Sequence, residues 1–373
     1  MISVFGSKVD KQEINSVSTV LQSQWLGFGS KVAEFEKKFA ETNNIENFIM
    51  VDTGSNALFM AVKLLDLAAG SEVILPTFTW VSCAQAILLA GCVPVFCDVD
   101  INTMNVTRAS IEPLITPKTA AIMVVHYAGK AVDIDPILAL GLPVIEDAAH
   151  AVNTFYKGKL CGTIGDVGIY SFGAVKNLTS GEGGGVTTKN KDLIERAKML
   201  RYCGIGKSGF DTAVTNSGNK SRWWEYNISE PFIKMLPTNI TASIGIEQLA
   251  KLDELQAFRK MVWERYQQAF KDIPWIITPV DAAEGETHSY FTYAIRVNDR
   301  DNLAHYLLKN DIYTTLRYHP LHLNKVYGKT ASLPNAEQLN EDTLNLPLHP
   351  NLTIEQVEYI IDKVIAFKEE LSA

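Results

Sequence analysis

The chain has 373 residues, 47% of them hydrophobic, which is too much for one small core and points to a globular protein of two unequal domains. Its 34 basic and 42 acidic residues leave a net charge of −8 without a block of like charge, which argues against a nucleic-acid or anionic-membrane surface. The five cysteines, at 83, 92, 97, 161 and 203, show neither CxxC nor Cys/His metal spacing, so they read as reduced thiols of a cytoplasmic protein and no metal site is expected.

In chain order, Met1 to Lys8 lacks a charged region followed by a long apolar one, and no run of about 18 apolar residues occurs later. Neither an export signal nor a membrane span is expected. From about residue 45 to 190, short apolar runs alternate with helix-period segments. The strand candidates are Phe48 to Val51, Glu72 to Leu75, Val93 to Cys97, Ala121 to Val125, Pro143 to Glu146, Gly168 to Phe172 and Gly185 to Thr188. Asn56 to Leu65 and Val81 to Leu89 read as intervening helices. The pattern predicts an α/β fold: a large domain with a mostly parallel seven-stranded sheet flanked by helices.

Gly204 to Asn239 changes character, with an aromatic cluster at Trp223-Trp224-Glu225-Tyr226, and a segment this long with little pattern is either disordered or functional. Ile246, Leu249, Leu252 and Leu255 then mark a long connecting helix ending at Phe270. A strand over Tyr290 to Val297 and helices over Asn302 to Lys309 and Ile354 to Leu371 predict a smaller C-terminal α+β domain. The division expected is therefore residues 1–245, a connecting helix over 246–270, and residues 271–373.

Four constellations can carry chemistry. Thr53-Gly54-Ser55-Asn56 leads from a strand into a helix, where the N–H groups and the Ser55 hydroxyl can hold a phosphate, or simply cap the helix. Trp80 follows the next strand at its carboxyl end, where it can stack on a flat ring or pack a helix. Glu146-Asp147 ends an apolar strand, and because neighbouring side chains point to opposite sides only one of the two acids can face a given site. A buried carboxylate there needs a partner, such as a protonated pyridine nitrogen, with His150 positioned nearby; the alternative is a helix cap beside interior histidines. Lys176 stands among small residues with no acid within five positions, where desolvation would make its amine a nucleophile; a lone lysine is otherwise a surface residue. An acid for a pyridine nitrogen, a hydroxyl for a phosphate and a lysine for a Schiff base are the groups that a pyridoxal phosphate (PLP) enzyme needs.

Taken in order, these motifs resemble the DegT family of PLP-dependent sugar aminotransferases, of the type I aminotransferase fold. The likeness runs from Gln24-Trp25-Leu26-Gly27 through Thr53-Gly54-Ser55-Asn56-Ala57-Leu58, Pro76-Thr77-Phe78-Thr79-Trp80, Glu146-Asp147-Ala148-Ala149-His150, Ser171-Phe172 with Lys176, and Gly181-Glu182-Gly183-Gly184, to Gly245-Ile246-Glu247-Gln248-Leu249. The resemblance implies that residues 1–245 bind PLP, that Lys176 forms the Schiff base and moves the proton, and that Asp147 pairs with the pyridine nitrogen. It further implies Trp80 on the ring, Gly54, Ser55 and Ser171 on the phosphate, and Asn239 reaching the phosphate of a neighbouring subunit in a homodimer with shared active sites. Two positions depart from many relatives: Gly173 stands where a histidine is common, and Ile240-Thr241-Ala242 replaces an arginine-containing motif. Some relatives with histidine at the lysine position are dehydratases, which Lys176 argues against.

The expected reaction moves an amino group from an amino-acid donor, L-glutamate, to a sugar acceptor. By resemblance the acceptor is a nucleotide-linked keto-deoxysugar for surface polysaccharide or lipopolysaccharide, or else an oxidised sugar acid, as in 8-amino-3,8-dideoxy-manno-octulosonate formation. Lys220, Arg222, Tyr226, Arg317 and His322 are the candidate acceptor contacts, with dimer or domain packing as their other reading. Two rival classes remain. A nicotinamide enzyme would want G-x-G-x-x-G after the first strand, which Thr53-Gly54-Ser55-Asn56-Ala57-Leu58 does not provide. A regulatory PLP-binding protein would tolerate loss of the lysine, which is present.

Overall fold

The computed structural model describes residues 1–206, 224–328 and 331–371. Its main sheet is built from β1 (Phe48–Val51), β2 (Glu72–Pro76), β3 (Val93–Cys97), β4 (Thr119–Val125) and β5 (Val144–Asp147). A small hairpin of β6 (Phe155–Tyr156) and β7 (Lys159–Leu160) precedes the last two strands, β8 (Val167–Ser171) and β9 (Gly184–Thr187). The spatial order is β1-β9-β8-β5-β4-β2-β3. Only β9 runs antiparallel to its neighbours; β8, β5, β4, β2 and β3 are mutually parallel.

The strands form from apolar runs because both sheet faces are covered, as parallel sheets require. Their alternation sorts side chains cleanly. Phe48, Met50, Ile74, Ile122, Val124 and Val144 join one core with Phe35 and Phe39 of the Ser30–Asn43 helix. Ile49, Val51, Val73, Leu75, Met123 and Ile145 join the other, with Leu58, Ala61, Cys83 and Ile87 of the crossover helices Gly54–Leu64 and Ser82–Leu89. Phe35 and Phe39 have no exposed surface, and each such side chain is worth roughly 1.5–3 kcal/mol relative to exposure. In register, Val125 lies opposite Asp147 and Asp147 opposite Ile169, so the carboxyl ends of β4 and β5 are level and β8 runs two residues further, to Ser171.

A third core, from Val262 and Trp263 to Leu344 and Phe367, gathers the two-stranded sheet of β10 (Tyr293–Arg296) and β11 (Thr343–Leu346) against the Arg300–Lys309 and Ile354–Leu371 helices. Two expected elements differ. The single helix expected over 246–270 is two, Asn239–Ala250 and Leu252–Phe270, separated at Lys251 with φ −113° and ψ 15°. The halves serve different cores: Ala242, Ile246 and Leu249 pack on the main sheet, and Val262, Tyr266 and Phe270 pack in the third core. Lys251 at the joint pairs with Asp10 and Glu13. The strand expected from Tyr290 begins only at Tyr293, because Tyr290 itself takes a left-handed φ of 48°. The Lys11–Gln22 and Ser30–Asn43 helices were not anticipated as elements; the first starts with a capping box in which Glu13 reaches back to the Asp10 N–H.

All five cysteines are free thiols, four of them buried. No helix among the described residues is long and apolar enough to cross a membrane.

Candidate active site

The carboxyl ends of β4, β5 and β8 open into a cavity of about 720 Å³. This is where an open α/β sheet binds its ligands. Asp147 ends β5 with 4% of its surface exposed; its Oδ1 accepts the Ala149 N–H at 2.9 Å and its Oδ2 the Cys83 thiol at 3.2 Å. The neighbouring acid faces the other way. Glu146 Oε2 takes the His126 ring at 3.0 Å and the Gly162 N–H at 2.8 Å, and Oε1 takes the N–H groups of Ile164 and Gly165 at 2.6 Å. The Val132 N–H donates to His126 Nδ1, so the imidazole proton sits on Nε2 and points to Glu146. Glu146 and His126 are thus interior partners, and Asp147 alone of the two acids lines the cavity.

Also at the cavity, β1 turns into the Gly54–Leu64 helix. The Thr53 hydroxyl caps it by accepting the Asn56 N–H at 3.1 Å, while the Gly54 and Ser55 N–H groups at the helix start have no partner within the helix. A Cβ on Gly54 would lie 2.7 Å from Ser171 Oγ, and one on Gly184 would lie 2.3 Å from the Thr53 carbonyl oxygen, so only glycines let β8 and β9 come this close. Gly54, Ser55 and Ser171 line one corner together, and the Ser55 and Ser82 hydroxyls are 2.7 Å apart. This corner presents N–H groups, hydroxyls and a helix dipole, which together suit a phosphate.

Lys176 projects from the loop after β8, half-buried, with its Nζ 4.9 Å from the centre of the Phe291 ring. Its amine is pulled down to about 8, first by burial and then by the Arg317 guanidinium, with Asp147 and Glu182 acting in the opposite direction. Arg317 is buried and held over Phe5 at 3.7 Å and Phe291 at 4.7 Å, while its Nη1 donates to the Tyr318 hydroxyl at 3.3 Å. His150 lies flat on Phe291 at 4.0 Å, shares a hydrogen bond between Nε2 and the Tyr318 hydroxyl at 3.0 Å, and leaves Nδ1 buried without a partner. Burial, then the charges of Lys176 and Arg317, hold its ring well below the ordinary histidine range, so it is neutral at pH 7. Trp80 lines the rim with half of its surface exposed and its ring 5.5 Å from that of Tyr318.

The expected residues Gly54, Ser55, Trp80, Asp147, His150, Ser171, Lys176 and Arg317 therefore share one cavity. Three others do not line it. His322 is turned away by hydrogen bonds to Thr77 at 2.7 Å and Glu337 at 3.2 Å, and Tyr226 is exposed outside it. Asn239 engages the start of the Ser30–Asn43 helix and the loop before it, accepting the Lys31 N–H and donating to the Trp25 carbonyl. Lys220 and Arg222 lie outside the described residues. Sequence reasoning missed Phe5, Cys83 and Phe291. Cys83 carried a signal, standing one helical turn after Trp80; Phe5 and Phe291 carried none.

The sequence profile of the DegT/DnrJ/EryC1/StrS aminotransferase family matches residues 7–365. The chain belongs to this family. Among the relatives of this DegT-family aminotransferase, the spore coat polysaccharide biosynthesis protein SpsC of Bacillus subtilis is 36% identical over 95% of this chain and 94% of its own. The dTDP-4-dehydro-2,3,6-trideoxy-D-glucose 4-aminotransferase of Saccharopolyspora spinosa is 34% identical over 97% and 96%. The crystal structure of the aminotransferase TlmJ from Streptoalloteichus hindustanus superposes with a TM-score of 0.93 at 37% identity, covering all of both chains. The DegT-family enzymes depend on PLP, and the cavity fits that group on its own chemistry. The phosphate corner, a buried carboxylate, a lysine amine shifted toward neutrality and the unpartnered His150 Nδ1 answer its charged and polar parts.

Proposed function

We propose that this aminotransferase takes the amino group of L-glutamate and passes it to a keto-sugar, a nucleotide-linked keto-deoxysugar used for surface polysaccharide. The names of its relatives support the acceptor class: one acts on a dTDP-linked dehydro-sugar and another serves spore coat polysaccharide biosynthesis. The observation that carries the reading is that Lys176, Arg317 and Asp147 line one cavity with Gly54, Ser55 and Ser171. We place the enzyme in the cytoplasm as a homodimer with Asn239 serving the partner's site, and residues 1–245 as its cofactor-binding domain.

When bound, PLP supplies an electron sink for a carbanion at the amino-bearing carbon. The protein's part is then as follows. The Gly54 and Ser55 N–H groups and the Ser171 hydroxyl hold the phosphate. Asp147 accepts a hydrogen bond from the protonated ring nitrogen and so favours the charged ring. Lys176 Nζ would hold the cofactor through its aldehyde carbon, and as a free amine it would serve as the base that receives the proton leaving the donor's α-carbon. His150 stays neutral and offers a hydrogen bond rather than a second charge. Arg317, braced between Phe5 and Phe291, grips a carboxylate of the donor or an anionic group of the acceptor.

The test is the visible spectrum of the PLP-loaded protein before and after L-glutamate. Loss of the lysine-linked band with growth of a pyridoxamine band is expected. A band that ignores glutamate while responding to another amino acid would overturn the donor assignment.

A further inference from the structure

The carboxylate of Asp147 is held from two sides. Its two oxygens are served unequally. Oδ1 accepts the Ala149 backbone N–H, which any residue at 149 except proline would provide, whereas Oδ2 accepts one side chain, the Cys83 thiol at 3.2 Å. Cys83 has no exposed surface, and its sulfur lies 3.3 Å from the Thr79 hydroxyl. With the S–H committed to Asp147, the sulfur can only accept from Thr79, so the chain of donation runs Thr79 to Cys83 to Asp147. Burial, and next the charge of Asp147, hold the thiol well above its usual range, which keeps it a donor.

The backbone explains the placement. The Cys83 N–H donates to the Trp80 carbonyl at 3.1 Å, so one turn at the start of the Ser82–Leu89 helix sets both Trp80 at the cavity rim and Cys83 behind Asp147. The core around Cys83 is aliphatic, and a cysteine used for packing alone would need no polar neighbours; this one has two. A donor to a carboxylate favours its charged form.

We propose that Cys83 is a positioning residue for the reaction: its thiol fixes Asp147 toward the cavity and stabilises the carboxylate charge, so that the proton shared with the cofactor ring nitrogen stays on the ring. The inference rests on the assignment of Asp147 to that nitrogen. Two variants separate donation from packing. Cys83→Ser keeps a donor and loses volume, whereas Cys83→Val loses the donor and keeps the site filled. The measurement is the ring-nitrogen chemical shift of holoenzyme loaded with 15N-labelled PLP, with kcat and KM for the amino donor alongside.

Cys83→Ser is expected to keep the protonated-ring shift. Cys83→Val is expected to move it toward the unprotonated value and to lower kcat roughly tenfold with little change in KM, and by more than Cys83→Ser does. A Cys83→Val enzyme with the parent's shift, or a Cys83→Ser enzyme more impaired than Cys83→Val, would make Cys83 a packing residue and overturn the proposal. If Cys83→Val does not bind cofactor, Cys83→Ala is read by the same two criteria. Asp147→Asn is the control: it should lose the protonated shift by itself and make Cys83→Val silent in the double variant. Retention of that shift in Asp147→Asn would instead overturn the assignment of Asp147, and the two failures are thereby distinguished.

Discussion

At the sheet end of the cavity the polar groups come from strand ends and a helix start held in backbone register, whereas at the far end Phe5, Arg317 and Tyr318 are brought together from opposite ends of the chain. The first arrangement fixes geometry through hydrogen bonds that the fold needs anyway. The second depends on ring stacking and on side-chain hydrogen bonds between residues far apart in the chain: Tyr318 with His150, and the Arg317 backbone with Asn345 and Tyr127. An enzyme whose cofactor is constant and whose acceptor varies would divide its site this way, with a rigid end for the shared chemistry and an adjustable end for recognition.

Substitutions at the two ends sharpen the contrast. The largest loss is expected for Lys176→Ala, which on the proposed mechanism removes both the covalent link and the proton carrier: multiple turnover should fall by roughly 10³-fold or more with the circular dichroism unchanged. Glu146→Gln, one residue from Asp147 but on the opposite face, should instead act on stability. It turns one oxygen of a fully buried carboxylate into an amide donor, which faces either the His126 and Gly162 donors or the Ile164 and Gly165 N–H groups, at a cost of about 3–5 kcal/mol in denaturant unfolding. Burial opposes the Glu146 charge, but the His126 ring and the Gly162 and Gly165 N–H groups outweigh it and hold the carboxyl below the usual range. Its contribution is therefore complete above the unfolded value near 4.5 and is lost as the pH falls through the lower folded value. Acid titration of unfolding should show this loss in the parent and not in Glu146→Gln.

At the far end, Arg317→Met should retain cofactor binding and raise the KM of an anionic substrate about 10- to 100-fold, read in separate donor and acceptor half-reactions. Equal KM values in both would break the contrast, since the adjustable end would then recognise nothing. The smallest effect is one of pH. The Lys176 amine, lowered to about 8, is charged below that value and free above it, so the rate of PLP capture by the empty enzyme should rise about tenfold per unit up to pH 8 and then level.

The same division governs what the sequence disclosed. Gly54, Ser55, Asp147, Ser171 and Lys176 sit in contiguous motifs at strand ends, and alternation in β5 alone established that only one of Glu146 and Asp147 could face the site. Six of the sheet's seven strand candidates lie within one residue of the observed bounds at both ends, because apolar runs bounded by turns are local signals. Phe5 and Phe291 were illegible, since nothing near either residue records that it will stack on Arg317 or Lys176. His322 misled because a histidine between two leucines looks free until the fold supplies Thr77 and Glu337. The joint at Lys251 was hidden because apolar spacing continues through it, although its two halves bury against different cores.

The account turns on the Lys176 amine as the atom that holds the cofactor. Borohydride reduction of the PLP-loaded enzyme, followed by peptide mass spectrometry, measures this directly. The account predicts one pyridoxyl adduct, on the peptide carrying Lys176 and absent from Lys176→Ala. An adduct on another lysine, or none despite bound cofactor, would contradict it.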